Sequence, residues 1–460
     1  MLAVMSFASR NAWFLQVEFQ KQLTKACRRC LHASSCWRAK LKFRDPDEEK
    51  KLPVFQYATE RSKRRKRVYL WGASLTGALG HDKLVRPGPD IKPRECTHKP
   101  YKTLFAEVYQ VSDVACGYGF TVFAATADKV KNDNILFGTG LNTDSQLGLQ
   151  EARKGHPLGM LTEPVGIPLP LRDRSAKVLQ VACGRAHTVV LTDKDGVFTL
   201  GNNSFGQCGR PVVTGEDYIS NPLVHKVRDI PGKIVQVECG QDHTLFLTSD
   251  GEVYSCGWGA DGQTAGLGHD RSQGVPQRVL GDVQGEKICR VATRVDCNLA
   301  ISEKGELFGW GNSEYGQFSA VTNSQQLTKA VHLKFPHGPV RWATSSGTAC
   351  AVVNENGEVF VWGFGLLGAG PKAVHSKEPI RLPQPLFRNE PVRQIYSTIN
   401  EFAAITERGD LYTWGQNMKG CLGIGHTRPQ YFPFRVSIVA EVLKVSCGND
   451  HMAALCRSYC

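Results

Sequence analysis

The sequence predicts an all-β fold, a seven-bladed β-propeller, because two strand-like motifs each recur along the 460 residues. The first motif is a strand-like run that ends in a glycine turn. Its anchoring glycines are spaced 52 to 66 residues apart: Gly72, Gly138, Gly201, Gly257, Gly311, Gly363 and Gly415. A period of this size indicates supersecondary units, none of which can bury its apolar face alone. Six of the seven runs continue into a second glycine turn, as in residues 77–80.

The second motif precedes the next glycine run and reads Cys-Gly-x-x-His in its complete form. Residues 243–248 then alternate apolar and polar side chains with a period of two, which predicts a strand. Turns such as Asp250-Gly251 and Asn356-Gly357 follow, where glycine tolerates a positive φ. About four strands per unit and seven units fit the usual four to eight blades of a propeller.

The two ends of the repeat region are incomplete in complementary ways. The glycine run at 68–72 has no Cys-Gly-x-x-His partner before it, and the strand at 447–455 has no glycine run after it. We therefore expect the N- and C-terminal strands to share one blade, which closes the ring and hides two strand edges. The alternative, an open solenoid, would leave both half-units unpaired.

The paired signatures resemble the regulator of chromosome condensation repeat, and the resemblance covers about residues 68 to 456. It implies a seven-bladed propeller. It also implies that a face of loops binds a small GTPase and expels its nucleotide. Kelch and WD repeats differ in their glycine and aromatic pattern, and WD repeats also have a shorter period.

The charge of the chain is concentrated at its N-terminus. The formal net charge is +13, but residues 1–67 hold 17 Lys+Arg and 6 Asp+Glu, which is a net charge of +11. The remaining 39 basic and 37 acidic residues leave the predicted ring at +2. This near-neutral ring gives no electrostatic argument for direct RNA binding by the propeller.

Residues 1–40 are typical of a mitochondrial presequence. They contain seven Lys/Arg among interleaved apolar residues and a single acid, Glu18. Residues 29–34 resemble a matrix-processing motif. We therefore predict a presequence at 1–38, a basic linker at 39–67, the propeller at 68–460 and a location in the mitochondrial matrix. No later segment approaches the roughly 18 apolar residues of a membrane span.

A second basic run stands directly before the first predicted strand. It consists of Arg61, Lys63, Arg64, Arg65, Lys66 and Arg67. We consider these residues a candidate contact for RNA or for an anionic membrane, with peripheral association at the inner membrane. A nuclear localisation signal and a solvated tether are the alternatives.

The cysteine pattern predicts packing in a reducing compartment. Cys116, Cys183, Cys239 and Cys447 share one repeat position. Cys27, Cys30, His32 and Cys36 are too crowded for an ordinary structural zinc site. The Gly-x-Gly-x-x-Gly pattern at 363–368 is followed by neither a helix nor a ribose-binding acid, so it indicates a turn. We expect no cofactor, no metal and no covalent catalysis.

The Cys-Gly-x-x-His turn is complete in some units and degenerate in others. It is complete around Cys183, Cys239 and Cys447 and nearly so around Cys116, where Phe120 replaces histidine. Around 293, 345 and 397 it is lost. In a closed ring the retained turns form one continuous arc, and the longest insertions, 81–107, 151–177 and 210–230, belong to it. Long loops on a rigid scaffold commonly bind partners.

The family's Gly-Asn-Asp-His turn is present at 448–451, with a near copy at 240–243. By resemblance, the candidate GTPase-contact residues are Arg185, His187, Asp242, His243, Asp450 and His451. The alternative is that each histidine hydrogen-bonds the neighbouring turn and that the aspartates serve their own turns.

Residues 116–121 and 257–264 resemble the mitochondrial branch of the family in vertebrates. That resemblance implies a scaffold for mitochondrial ribosome assembly and translation. Its partners would be the large ribosomal RNA, directly or indirectly, and rRNA-pseudouridylation and ribosome-assembly proteins. It also implies nucleotide exchange on the dynamin-like fusion GTPase of the inner membrane. A nuclear exchange factor for a Ran-type GTPase is the alternative.

Overall fold

The computed structural model describes residues 66–89, 91–126, 134–259 and 266–459. These residues form seven four-stranded antiparallel sheets, and the first strands of successive sheets contact one another around a ring. The predicted seven-bladed propeller is therefore confirmed. The predicted presequence and the linker as far as residue 65 lie outside the described residues. The first strand begins at Lys66, two residues before the predicted boundary.

The first two strands and two one-turn helices precede the complete blades. They are β1 (Lys66–Ala73), α1 (Asp82–Val85), β2 (Cys96–Lys102) and α2 (Phe105–Val108). Blade 1 adds a small hairpin, β6 and β7, between its third and fourth strands. Its strands are β3 (Gln110–Cys116), β4 (Phe120–Thr126), β5 (Leu136–Leu141), β6 (Glu151–Arg153), β7 (His156–Pro157) and β8 (Met160–Gly166).

Blades 2 to 6 each run outward from the innermost strand. Blade 2 has β9 (Val178–Cys183), β10 (His187–Thr192), β11 (Val197–Gly201) and β12 (His225–Lys226). Blade 3 has β13 (Ile234–Cys239), β14 (His243–Thr248), β15 (Val253–Gly257) and β16 (Gln273–Arg278). Blade 4 has β17 (Ile288–Thr293), β18 (Cys297–Ser302), β19 (Leu307–Asn312) and β20 (Gln326–His332).

The last three blades complete the ring. Blade 5 has β21 (Val340–Ser345), β22 (Ala349–Asn354), β23 (Val359–Phe364) and β24 (His375–Arg381). A 3-10 turn at Gln384–Phe387 precedes blade 6, which has β25 (Val392–Ser397), β26 (Glu401–Thr406), β27 (Leu411–Gly415) and β28 (Gln430–Arg435). Blade 7 combines β29 (Glu441–Cys447) and β30 (His451–Arg457) with β1 and β2.

Blade 7 closes the ring as the sequence predicts. Its strand order is β2-β1-β30-β29, and β1 pairs antiparallel with β30 from Lys66 opposite Arg457 to Gly72 opposite His451. Leu70 is fully buried in this blade. The pairing satisfies the backbone of both terminal strands, so neither presents an open edge.

A glycine at the end of each third strand allows the second strand to approach closely. Gly72 has φ 107°, and a Cβ there would lie 2.6 Å from the Cα of His451. In blade 1 the residue that occupies this position is Gly140, which faces Phe120 with φ 106°. The sequence-based choice of Gly138 was therefore wrong by two residues, because Gly138 lies within the strand and pairs with Val122.

The innermost strands surround a central channel, and polar side chains link them across the blades. The Gln180 amide donates to the Val237 carbonyl at 2.8 Å and accepts from the Val237 N–H at 3.1 Å. The Lys444 ammonium lies 2.6 Å from the Asp113 carboxylate of the next blade. Buried backbone groups at the axis are thereby satisfied.

Five of the outermost strands contain a bulge that ends in proline. These residues are Pro100, Pro164, Pro276, Pro379 and Pro433, and each directly precedes the point where pairing with the third strand resumes. Proline has no N–H, so the bulge exposes one donor fewer at the edge of the blade. Bulges and prolines are known protections against edge-to-edge association.

The repeated tryptophans and cysteines belong to the core. Trp71, Trp310, Trp362 and Trp414 are buried, as are the four cysteines of the Cys-Gly turns. The cysteines of the described residues are free thiols. In the same part of the chain, no helix is long and apolar enough to cross a membrane.

Candidate partner-binding face

One face of the propeller carries the turns between the first and second strands of every blade, and we call it the turn face. Its turns are 117–119, 184–186, 240–242, 294–296, 346–348, 398–400 and 448–450. The loops between third and fourth strands reach the same face, because Gly72 at the end of β1 lies opposite His451 at the start of β30. Their longest members are 74–95, 142–159 and 202–224, in blades 7, 1 and 2. Long loops therefore flank the retained turns.

The three candidate histidines are fully buried between blades. The Nε2 atom of each lies at hydrogen-bond distance from a polar side chain of the following blade: Thr244 for His187 (3.1 Å), Asn298 for His243 (2.7 Å) and Thr121 for His451 (2.8 Å). A partner docked on the turn face would not contact these imidazoles. The prediction that these histidines lie on a contact surface was therefore wrong. They hydrogen-bond the neighbouring blade instead, which was the alternative.

The electrostatics of the three histidines differ. Burial lowers the pKa of His187 to about 3 and that of His243 to about 4, and among the described residues neither Nδ1 atom has a hydrogen-bond partner. Burial also opposes charge on His451, but Cys116 and Asp450 raise its pKa to about 10. The Asp450 carboxylate lies 3.3 Å from its Nδ1 atom. His187 and His243 are therefore neutral at pH 7, whereas His451 is an imidazolium.

Two candidate residues from adjacent blades form an ion pair on the turn face. The guanidinium of Arg185 in blade 2 contacts both carboxylate oxygens of Asp242 in blade 3, at 2.9 and 3.1 Å. The Arg185 side chain is 46% exposed and that of Asp242 is 10% exposed. Burial raises the pKa of Asp242, and the charge of Arg185 opposes this shift. The bidentate geometry fixes both groups in one orientation.

Asp450 lies on the same arc, in blade 7, and its side chain is 27% exposed. Burial favours the neutral acid, but the hydrogen bond and the charge of His451 outweigh it, so the pKa of Asp450 is lowered. Arg185, Asp242 and Asp450 are therefore the predicted residues that remain on the face. The structure pairs the first two and leaves Asp450 with its own histidine.

The centre of the turn face contains residues that the sequence did not single out. Arg294 of blade 4 donates from Nη2 to the carbonyl of Cys116 in blade 1, at 3.2 Å, and so reaches across the ring axis. The Tyr118 hydroxyl lies 3.5 Å from the Gln241 amide oxygen. Arg294 was missed because its turn lacks Cys-Gly and was classified as degenerate. The replacement of that glycine by arginine was the available signal.

Glu401 in blade 6 was missed for the same reason. It occupies the histidine position of its turn and is 6% exposed. Burial raises its pKa to about 8, the nearby Asp450 carboxylate adds to the shift, and a backbone hydrogen bond from Asn400 opposes it. Glu401 therefore carries its proton at neutral pH, in contrast to Asp450.

The basic run is described only at its end. Lys66 donates from Nζ to the Ser112 carbonyl at 3.3 Å, and Arg67 lies 3.6 Å from Glu107. Both residues begin β1 and so lie away from the turn face, whereas Arg61, Lys63, Arg64 and Arg65 fall outside the described residues. Within the described part of the chain, no group of three His, Cys, Asp or Glu side chains is placed to hold a metal ion.

Comparison with known proteins identifies relatives along nearly the whole chain. Residues 136–458 match the model of the RCC1-like domain, and residues 67–124 match the regulator of chromosome condensation (RCC1) repeat. The chain is 46% identical to the RCC1-like G exchanging factor-like protein of Mus musculus, over 93% of this chain and 95% of that protein. It is 48% identical to the protein of the same name in Homo sapiens, over 89% and 90%. The crystal structure of human WBSCR16 has a TM-score of 0.79 at 46% identity and covers 86% of this chain and 100% of that one.

Proposed function

This chain belongs to the RCC1-like family of β-propellers, and from that we propose that its turn face binds a GTPase and promotes release of the guanine nucleotide. Its mouse and human relatives are named as G exchanging factor-like proteins. Exchange requires no general acid or base. The propeller has only to bind the nucleotide-free GTPase more tightly than the nucleotide-bound form, which shifts the population toward release.

The observation that carries the proposal is the rigid charged arc of the turn face. Arg185, Asp242 and Asp450 stand on blades 2, 3 and 7, beside the three longest loops. Buried hydrogen bonds between blades, such as His187–Thr244 and His451–Thr121, fix the positions of these turns. Groups fixed in this way lose little entropy when a partner binds, and carboxylates suit a GTPase surface from which Mg²⁺ and phosphate contacts must be displaced.

The proposal is tested by the release of a fluorescent GDP analogue from purified GTPases. We expect the propeller to accelerate release, and the Asp242→Ala/Asp450→Ala double variant to slow it at least about tenfold relative to wild type, equivalent to about 1.4 kcal/mol. Asp250→Ala is the matched control, because Asp250 is an exposed aspartate in a hairpin on the opposite face. Equal acceleration of nucleotide release by the double variant and by wild type would show that Asp242 and Asp450 do not form the exchange site.

We propose the dynamin-like fusion GTPase of the inner mitochondrial membrane as the exchange substrate, and a Ran-type GTPase is the alternative. The support is the acid-poor, basic composition of residues 1–40, which favours import into mitochondria. Release assays on both GTPases decide between them. Acceleration confined to the Ran-type protein, together with nuclear localisation, would replace the mitochondrial proposal.

A second candidate function is a scaffold for mitochondrial ribosome assembly, in contact with rRNA-pseudouridylation proteins and the large ribosomal RNA. It is favoured by the basic run at 61–67, whose last two residues lie away from the turn face. A contact through Lys66 and Arg67 would leave the turn face free. Co-sedimentation with ribosomal particles that ribonuclease abolishes supports this function, whereas sedimentation as the free protein in both conditions contradicts it.

A further inference from the structure

A cavity lies between blades 4 and 5, outside the arc of blades 7, 1, 2 and 3 that carries Arg185, Asp242 and Asp450. Its volume is about 210 Å³. Buried apolar side chains line it, among them Phe318, Leu333 and Trp362. Lys334 and Lys377 also line it and are exposed.

A local departure from the repeat accounts for this cavity. In blade 6 the loop after the third strand contains Leu422-Gly423, and Gly423 packs against Trp71 of the next blade, where a Cβ would lie 2.9 Å from Nε1. Blade 5 repeats this contact between Gly368 and Trp414. In blade 4 the corresponding residues are Phe318 and Ser319. This blade is the one of the seven repeat units whose sequence lacks the second glycine turn. At this position a cavity lies beside Trp362, the tryptophan of blade 5.

The correspondence between the loops rests on their hydrogen bonds. The Leu422 N–H donates to Asn417 Oδ1 at 3.0 Å, and the Phe318 N–H donates to Ser313 Oγ at 3.0 Å. In blade 4 the chain then turns away, with the Val321 N–H bonded to the Phe318 carbonyl at 3.0 Å. Val321 consequently lies at the entrance of the cavity, where it is exposed.

The entrance is positively charged. Neither Lys334 nor Lys377 lies within ion-pair distance of a carboxylate in the described part of the chain, and Glu378 is the acid that also lines the cavity. The backbone of Lys334 has φ 44°, a left-handed conformation that is uncommon for residues other than glycine, asparagine and aspartate. Such strain persists where the surrounding structure imposes it, and it often marks a binding site.

We propose that this cavity binds an apolar carboxylate, with the hydrocarbon body against Phe318, Leu333 and Trp362 and the carboxylate beside Lys334 and Lys377. The combination of apolar walls with few charged groups at the opening is typical of small-molecule sites. The two ammonium groups select an anion over a neutral compound of the same shape. The cavity lies outside the arc that carries Arg185, Asp242 and Asp450, so it shares none of these residues with the proposed GTPase contact.

The test is calorimetric titration of the full chain with decanoate and, separately, with decanol. We expect decanoate to bind with one site per chain and decanol to bind at least about tenfold more weakly, because it lacks the charge. Lys334→Gln/Lys377→Gln is expected to weaken decanoate binding by about tenfold and to leave decanol unchanged. Lys372→Gln, at an exposed lysine of blade 5 that does not line the cavity, is the matched control.

Val321→Phe narrows the entrance without altering a buried residue, and it is expected to reduce binding of both compounds. A brominated decanoate is expected to quench the fluorescence of Trp362, and this quenching is expected to be absent in Trp362→Phe. Absence of decanoate binding to wild type would overturn the proposal, as would binding that neither the double lysine variant nor Val321→Phe alters.

Discussion

A single repeat position shows how neighbouring blades decide the chemistry of a residue. The Asp-His pair occurs twice, as Asp242-His243 and Asp450-His451. Asp242 pairs with Arg185 of the preceding blade, and burial lowers the pKa of His243 so that this histidine is neutral. The blade before Asp450 has Ile399 at the position of Arg185, and Asp450 pairs with its own histidine instead. The identical dipeptide therefore yields a neutral imidazole in one blade and an imidazolium in the other.

Glu401 provides a pH-dependent test at this scale. In the unfolded chain it ionises near 4.5, whereas in the folded chain it keeps its proton up to about 8. Its contribution to the free energy of unfolding is full below the unfolded pKa and is lost as the pH rises through this window. Glutamine mimics the protonated acid at every pH. We expect Glu401→Gln to be nearly as stable as wild type at pH 5 and more stable by about 2–4 kcal/mol at pH 8.

Urea unfolding at several pH values measures this difference. The matched control is Glu407→Gln in the turn that follows the same strand, where the glutamate is exposed and paired with Arg341. A difference between Glu401→Gln and wild type that stays constant from pH 5 to pH 8 would show that Glu401 is ionised in the folded protein.

For the secondary-structure elements, the periodicity of the sequence was enough to predict most of the fold. The strands and the shared blade were predictable because each has a local signal: alternating burial, a glycine turn or an unmatched half-repeat. The hydrogen bonds between Gln180 and Val237 and between Arg294 and Cys116 could not be predicted, because they join residues that are 57 and 178 positions apart in the sequence. The burial of the histidines was likewise decided by the neighbouring blade.

The role of strand β1 in closing the ring can be tested by truncation. Removal of residues 66–73 together with everything before them would expose the edge of β30 and delete the buried Leu70 and Trp71. Loss of one buried tryptophan alone typically costs about 3–5 kcal/mol. We therefore expect this variant to lose cooperative thermal unfolding.

A chain that begins at Lys66 is the control for the truncation, and we expect it to keep the melting temperature of the full chain. Equal melting temperatures for the two truncated chains would contradict the role of β1 in ring closure. Circular dichroism at 218 nm follows the unfolding of both.

At the scale of the whole molecule, the propeller separates two surfaces. Retained turns, long loops and the Arg185–Asp242 pair occupy the turn face. The described chain begins at the other end of β1, where Lys66 pairs with Arg457. Lys66 and Arg67, the last two residues of the basic run, therefore lie on a different side of the ring from the turn face. A partner bound at Lys66 and Arg67 would therefore not compete with the proposed GTPase contact on the turn face.

Nucleotide exchange through the turn face can be tested by site-specific photo-crosslinking, with a crosslinking amino acid at position 185 on the turn face or at position 250 on the opposite face. Both side chains are solvent-accessible. We predict that position 185 yields an adduct with a GTPase, that the yield rises when guanine nucleotide is removed, and that position 250 yields none. A GTPase adduct from position 250 alone, or a yield at position 185 that nucleotide does not change, would contradict exchange through the turn face.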